Sequence, residues 1–486
     1  MTLSLFPSLS QRSERVALTV DATRLSYASL AQACGSHLRA LERAGVVVGD
    51  RVAVLAQHHV STAIALVAHA HAGIVSVPMH PTLGERERAA VLANARPRFI
   101  VAADVGAGAA MRSEWAVIPI DTATACELPP AAGSVDDPAL VVYTSGTTGA
   151  PKGAVLTRGN LASNLDALAR TWSWTESDVL VHALPLFHVH GLCFGLFGAL
   201  RVGASLRWHT RFSATEVVAE FDRGATMLFG VPTMYHRLCE AMTLEPSLGK
   251  VLGRARVLVS GSAPLPAREH ARIEALTGQR PLERYGMTET LINCAQSADG
   301  PRRPGEVGPA LAGVELRLVD DARVTLAQRD ASVMGELAVR GPNVFQGYLD
   351  RPEATQAVLD RDGWFYTGDM ATMASDGSVR IVGRRATDLI KTGGFKVGAG
   401  EVEGALLEHP AVAEAAVIGE PDDDLGERIV AFVVLRAAVE PSMLVDHVAG
   451  LLVPHKRPRI VRVLGELPRN AMGKVNKKVL RAVGGT

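Results

Sequence analysis

The chain is poor in aromatic residues, 5% of 486, and holds only five cysteines, Cys34, Cys126, Cys193, Cys239 and Cys294. They are scattered, odd in number and form no C-x-x-C pair, which excludes a disulfide framework and a cysteine-based zinc site and fits a reducing compartment. Net charge is also missing, because 50 Lys and Arg balance 50 Asp and Glu. Without a global field nothing concentrates the protein on nucleic acid or an anionic membrane, so neither partner is expected and a small molecule is the default substrate. No apolar run has the length of a bilayer span; stretches such as Gly191 to Leu200 are short and interrupted by Gly. The N-terminal MTLSLFPSLSQRSER has no basic segment leading into an apolar core, unlike a signal peptide. A soluble cytoplasmic protein is the expectation.

What is present is ordinary globular composition, 48% hydrophobic and 21% charged, in a chain long enough for two to four cores. Short Val-rich runs occur at Arg51 to Gln57, Ile74 to Met79, Pro97 to Asp104 and Ala255 to Gly261. Between them lie Ala/Leu segments of helical spacing, Ser61 to His71 and Glu85 to Ala95. Strands alternating with helices imply α/β layers with parallel sheets covered on both faces. After about Val307 the texture changes to VELRLVDD, GELAVRG and GSVRIVG, which alternate apolar and polar residues, are closed by Gly or Asp and read as antiparallel, half-solvated sheet. A last unit from about Gly383 carries strand-like VAEAAVIGEP and RIVAFVVLR and a helical Ser442 to Leu452.

One segment concentrates chemistry. In VVYTSGTTGAPKGAVL, Val141 to Leu156, an apolar strand runs into a loop with Thr144, Ser145, Gly146, Thr147, Thr148 and Gly149, then Lys152 and Gly153. Glycines let backbone N–H groups turn toward one point, hydroxyls add donors and Lys152 adds a mobile positive charge, a set suited to a polyphosphate. It is not a Walker A loop, since no G-x-x-x-x-G-K-[ST] occurs, and the kinase and GTPase readings fall away. The bland alternative, a flexible surface loop, sits poorly with a buried-strand pattern feeding so many polar and Gly positions.

TSGTTGAPKG resembles the phosphate-loop signature of the adenylate-forming superfamily of acyl-CoA synthetases, adenylation domains and luciferases. The superfamily's other signatures recur in order: SGSAPLP from Ser260, RYGMTET from Arg284, GWFYTGD from Gly363, GRRATDLIKTGGFKVGAGEVE from Gly383 and PRNAMGK from Pro468. The resemblance implies a large N-terminal domain, 1–383, of parallel α/β sheets plus a small β-barrel-like subdomain, and a small mobile α+β C-terminal domain, 384–486. It implies ATP, Mg2+ and CoA as the small molecules handled. A carboxylate would attack the α-phosphate of ATP and expel pyrophosphate, and a thiol would then displace AMP. Such chemistry rests on positioning and electrostatic stabilisation.

By the same resemblance Lys474 would bridge carboxylate and α-phosphate, although spacing alone favours a solvated basic tail there. Asp369, helped by Arg384, would hold the ribose; Glu289 would reach Mg2+; Thr288 would bond the α-phosphate. Tyr285, with Gly286 and Met287 in the same block, would stack near adenine, and Gly261, Ser262 and Ala263 would form a purine wall. Two histidines at i, i+2 in PLFHVHGL are poor support for zinc, and His188 would instead gate the passage to the thiol tunnel, against which Lys391, Gly393 and Gly394 would dock. The hinge block has one residue more than the common G-R-x-K-D-x-I, so the pivot is assigned to the Thr387–Asp388 region.

FGVPTMYHR, PLFHVHGL and ERYGMTETLIN together resemble the malonyl-CoA synthetase (malonate–CoA ligase) branch. Its implication is a substrate with a second carboxylate, held by Arg237 and Arg284 with Ser262 as helper, since an arginine fork matches a carboxylate. Either arginine has a local alternative partner in Glu283 or Glu240. The reading is a ligase making malonyl-CoA or methylmalonyl-CoA for downstream polyketide or fatty-acid enzymes. The alternatives are activation of another short acid or loading of a carrier-protein thiol; with no carrier domain in this sequence, the expectation is against a large assembly line but not against a carrier partner in trans.

Overall fold

The structure is a computed structural model that describes residues 3–104, 106, 115–122, 125–144, 151–327, 330–385, 388–469 and 475–484. Two large sheets are built from the first 300 residues together with the short strand Gly347–Tyr348. One has the strand order Gly347–Tyr348, Lys152–Thr157, Pro138–Thr144, Val75–Met79, Arg51–Leu55, Phe99–Ala102, Val117–Pro119. Its inner strands are parallel, while Lys152–Thr157 returns antiparallel to Pro138–Thr144. The other runs Leu291–Ala295, Leu282–Met287, Val257–Ser260, Met227–Gly230, Val179–His182, Ser205–Trp208, Val16–Val20, Thr23–Ser26. Strands such as Val75–Met79 and Met227–Gly230 are buried along their whole length, as parallel strands covered by helices on both faces must be.

The later strands pair antiparallel, as their alternation predicts, but the half-solvated expectation fails at Met334–Arg340, whose residues 335–339 are all buried. Glu315–Val319, Met334–Arg340, Phe365–Met373 and Val379–Arg384 form a four-stranded antiparallel sheet. The next strand, Leu389–Thr392, already belongs to a different sheet, with Phe395–Gly398, Gly426–Leu435, Val412–Asp422 and Ile460–Val463. The change of sheet falls between Arg384 and Leu389. The helix expected over Glu85 to Ala95 has those bounds, and Ser442 to Leu452 falls within one residue of Pro441–Leu451. Among the described residues no helix is long and apolar enough to cross a membrane.

A pair of histidines lies in the core between the helices Tyr27–Arg43 and Val60–Ala72. His37 Nε2 is 3.0 Å from His69 Nε2, and His69 Nδ1 is 3.0 Å from Ser76 Oγ. Burial pushes His37 down to about 4 and His69 well below its ordinary value. Both are therefore neutral when folded, whereas the unfolded chain takes up protons near pH 6.5. Stability is fully present above that pH and is lost as pH falls toward 4, by ~2 kcal/mol for His37 alone at pH 5. The urea midpoint should drop between pH 7.5 and 5.0, and less steeply in His37→Gln/His69→Gln; equal slopes would show that these rings do not carry the effect.

Candidate active site

The two large sheets meet the small antiparallel sheet around a set of loop tips and strand ends. Thr144 ends one strand of a hairpin and lies in register with Lys152, which starts the other. The loop positions between them that the sequence nominates, Ser145, Gly146, Thr147, Thr148 and Gly149, lie outside the described residues. Lys152 Nζ stands 5.0 Å from the ring centroid of Tyr348. The Tyr348 hydroxyl donates to Glu289 Oε1 at 2.7 Å. Glu289 is buried at the tip of a second hairpin, Leu282–Met287 with Leu291–Ala295, next to half-buried Thr288. Tyr348 thus ties the exit of the glycine loop to the carboxylate expected to face a cation.

Asp369 is buried and directly opposite Arg384 across two antiparallel strands, with an Arg384 Nε to Asp369 Oδ1 distance of 3.4 Å. The Tyr285 hydroxyl donates to the other carboxylate oxygen. Burial raises the Asp369 carboxyl above its ordinary value, opposed by Arg384 and the tyrosine. The hydroxyl fixes Tyr285, so the ring presents a held face beside the Gly286 and Met287 backbone. Gly261, Ser262 and Ala263 follow the buried strand Val257–Ser260, with Ser262 and Ala263 exposed.

Arg284 is 7% exposed and, among the described residues, its guanidinium has no carboxylate. Its Cζ lies 5.5 Å from the Phe194 ring centroid, and burial lowers it to about 10, so it is a cation at neutral pH. The local alternatives are taken: Glu283 accepts from His270 at 2.9 Å and from the backbone of Leu265 and Gly305, and Glu240 lies 3.2 Å from His236. Arg237 is exposed on the helix Pro232–Leu244 and makes no hydrogen bond with Ser262. Gly261 packs against Arg284 so closely that an added Cβ would lie 2.3 Å from its Cζ. Gly261→Ala should displace the guanidinium and raise the KM for a diacid at least tenfold in steady-state assays; an unchanged KM would place Arg284 outside substrate binding.

His188 is half-buried, just before the helical segment His190–Phe197. His190 is buried, with Nδ1 3.1 Å from Ser262 Oγ. In the C-terminal unit Lys391 is exposed in a hairpin that turns through Gly393 and Gly394, both at positive φ. Lys474 and Thr387 lie outside the described residues. Asp388 accepts from Arg384 N at 3.1 Å and from Lys477 Nζ at 2.7 Å, and Lys477 also bonds Glu403 at 2.7 Å. Sequence reasoning passed over Tyr348, His190 and Lys477; the signal for Tyr348 was the aromatic pair in FQGY beside otherwise polar loop residues.

Glu289 fits a hard cation: one oxygen takes the tyrosine, leaving the second for Mg2+, whose remaining ligands would be phosphate and water. Comparisons with known proteins show the family. The AMP-binding enzyme family matches residues 6–349, and the AMP-binding enzyme C-terminal domain matches 401–474. A malonate–CoA ligase of Arabidopsis thaliana is 38% identical over 71% of this chain and 61% of that protein, so the match spans under two thirds of the plant relative's length. A sulfoacetate–CoA ligase of Cupriavidus necator is 33% identical over 93% of this chain and 91% of its own. Among solved structures, a malonyl-CoA ligase ternary product complex with methylmalonyl-CoA and AMP is 51% identical, covering 96% of this chain and 100% of that one, at a TM-score of 0.73. ATP-bound MatB from Rhodopseudomonas palustris, 37% identical over 99% of both chains, reaches 0.91.

Proposed function

The chain belongs to the AMP-binding enzyme family, and from that premise we propose that it joins a short acid carrying a second anionic group, malonate or methylmalonate, to the thiol of CoA. ATP would be cleaved to pyrophosphate and AMP through an acyl-adenylate. The observation that carries the substrate class is the buried guanidinium of Arg284, which has no carboxylate partner among the described residues: desolvating a cation without a counter-charge is costly, and the distal charge of a diacid would supply it. Arg237, exposed on its helix, would close on the same carboxylate, with Ser262 as helper.

In the first half-reaction the glycine loop with Thr144, Ser145, Gly146, Thr147, Thr148, Gly149 and Lys152 would cradle the phosphates, Thr288 would bond the α-phosphate, and Asp369 with Arg384 would hold the ribose. Glu289 would hold Mg2+, which offsets phosphate charge when bound. Lys474 would draw carboxylate and α-phosphate together. In the second half the unit 384–486 would turn about the Thr387–Asp388 region, bringing Lys391, Gly393 and Gly394 to the thiol passage gated by His188. Five free cysteines, four of them buried, support a reducing cytoplasm, and a diacid thioester suits downstream carbon–carbon condensation in polyketide or fatty-acid assembly.

A relative named for sulfoacetate supports a second reading, in which the distal anion is a sulfonate. Purified enzyme with ATP, Mg2+ and CoA should convert malonate to malonyl-CoA and AMP, read by mass spectrometry, and do so faster than it converts acetate, butyrate or an aryl acid. Faster turnover of butyrate than of any acid with a second anion would overturn the substrate class.

A further inference from the structure

Among the described residues, the buried polar atoms without a hydrogen-bond partner near the end of strand Val257–Ser260 include Ser260 Oγ and two nitrogens, Nη2 of Arg284 and Nε2 of His190. Unpaired buried donors cost free energy, and native structures hold few of them. The two nitrogens belong to one place. The Arg284 guanidinium lies against Gly261, and the next residue, Ser262, carries the hydroxyl that meets His190 Nδ1 at 3.1 Å. Both side chains flank Phe194, whose ring centroid is 5.5 Å from the Arg284 Cζ and 6.4 Å from the His190 ring centroid. Ser262 itself sits at φ 69, in the left-handed region that a side-chain-bearing residue rarely adopts. Backbone strain of that kind persists where the surroundings enforce a position, often at ligand sites.

The protonation state follows from the surroundings. Burial, and then the positive field of Arg284 with His182 and His188, hold His190 well below its ordinary value. A neutral imidazole carries one N–H, and its location is fixed by what the other nitrogen does. We infer that the Ser262 hydroxyl donates to His190 Nδ1, which leaves the proton on Nε2, and that this N–H joins Arg284 in binding the distal anionic group of the substrate. His190 is then a specificity-determining residue. This inference deepens the substrate reading above and rests on it.

The division of labour has a physical reason. A guanidinium alone attracts any anion, whereas a fixed neutral donor beside it rewards an oxyanion in one place. A monocarboxylate such as butyrate puts a methyl group there and leaves both donors unpaired, which is how buried polar sites reject apolar analogues most strongly. A second cation in place of His190 would be repelled by Arg284.

The test is ATP–pyrophosphate exchange with malonate, methylmalonate, sulfoacetate and butyrate for wild type, His190→Leu, His190→Gln and Ser262→Ala, with the ATP-induced shift in melting temperature reporting an intact fold. His190→Leu should raise the KM for the preferred dianionic acid by about tenfold to a hundredfold, the range for one lost bond to a charged group, with a smaller change in kcat. The diacid-to-butyrate ratio should fall at least tenfold. His190→Gln, whose amide N–H reaches toward the Nε2 position, should recover part of the ratio, and Ser262→Ala should lose part of it. An unchanged ratio in His190→Leu with its ATP shift intact overturns the inference alone. Should His190→Leu not fold, unchanged ratios in both His190→Gln and Ser262→Ala overturn it. A wild type that prefers butyrate overturns the substrate reading and this inference together.

Discussion

Lys474→Ala is expected to abolish acyl-adenylate formation, with a loss of about a thousandfold or more in malonate-dependent ATP–pyrophosphate exchange. The reason is electrostatic. A carboxylate approaching an α-phosphate brings like charges together, and a mobile ammonium group that touches both is the economical way to lower that repulsion. The second half-reaction does not need that bridge. Thioester formation from preformed malonyl-AMP and CoA should stay within a few fold of wild type. Three residues on, Lys477 is anchored to Asp388 and Glu403, so the segment that follows Lys474 is pinned beside the proposed pivot. Equal loss in both half-reactions would assign Lys474 to general folding or nucleotide binding instead.

Arg284→Ala should cut kcat/KM for malonate by about a hundredfold to a thousandfold while costing butyrate far less, because truncation leaves the distal charge buried and unpaired. The ligand-free protein should behave oppositely. Arg284 is a buried cation with no carboxylate, and its replacement by an apolar residue of similar length, Arg284→Met, is expected to leave the melting temperature unchanged or raise it. Loss of stability together with equal loss for malonate and butyrate would make Arg284 a structural residue.

The order of the motifs nominated most of the candidate site, and the periodicities carried the sheets. Where a run of residues is buried on both faces, as in Arg51–Leu55 and Val75–Met79, its Val-rich composition identifies it directly. Where alternation marks a half-covered surface, as in Glu315–Val319, the antiparallel reading follows as readily. What sequence did not reveal depends on contacts between distant segments. Tyr348 reaches Glu289 because Gly347–Tyr348 adds a short antiparallel strand beside Lys152–Thr157, a pairing no local pattern announces. Glu283 looked available to Arg284 by adjacency, yet successive residues of a strand face opposite sides, and its carboxylate turns to His270 and to the amides of Leu265 and Gly305. The histidine pair of PLFHVHGL read as one functional residue, His188, with a bland neighbour; the neighbour is the one that meets Ser262.

The adenylate itself is tested most directly by isotope. Malonate labelled with 18O in its carboxylates, incubated with enzyme, ATP, Mg2+ and CoA, should deliver one 18O atom per turnover to the phosphate of AMP, because the acid oxygen that attacks the α-phosphate stays with it when the thiol displaces the nucleotide. Unlabelled AMP, or label appearing in inorganic phosphate alongside ADP, would contradict the account.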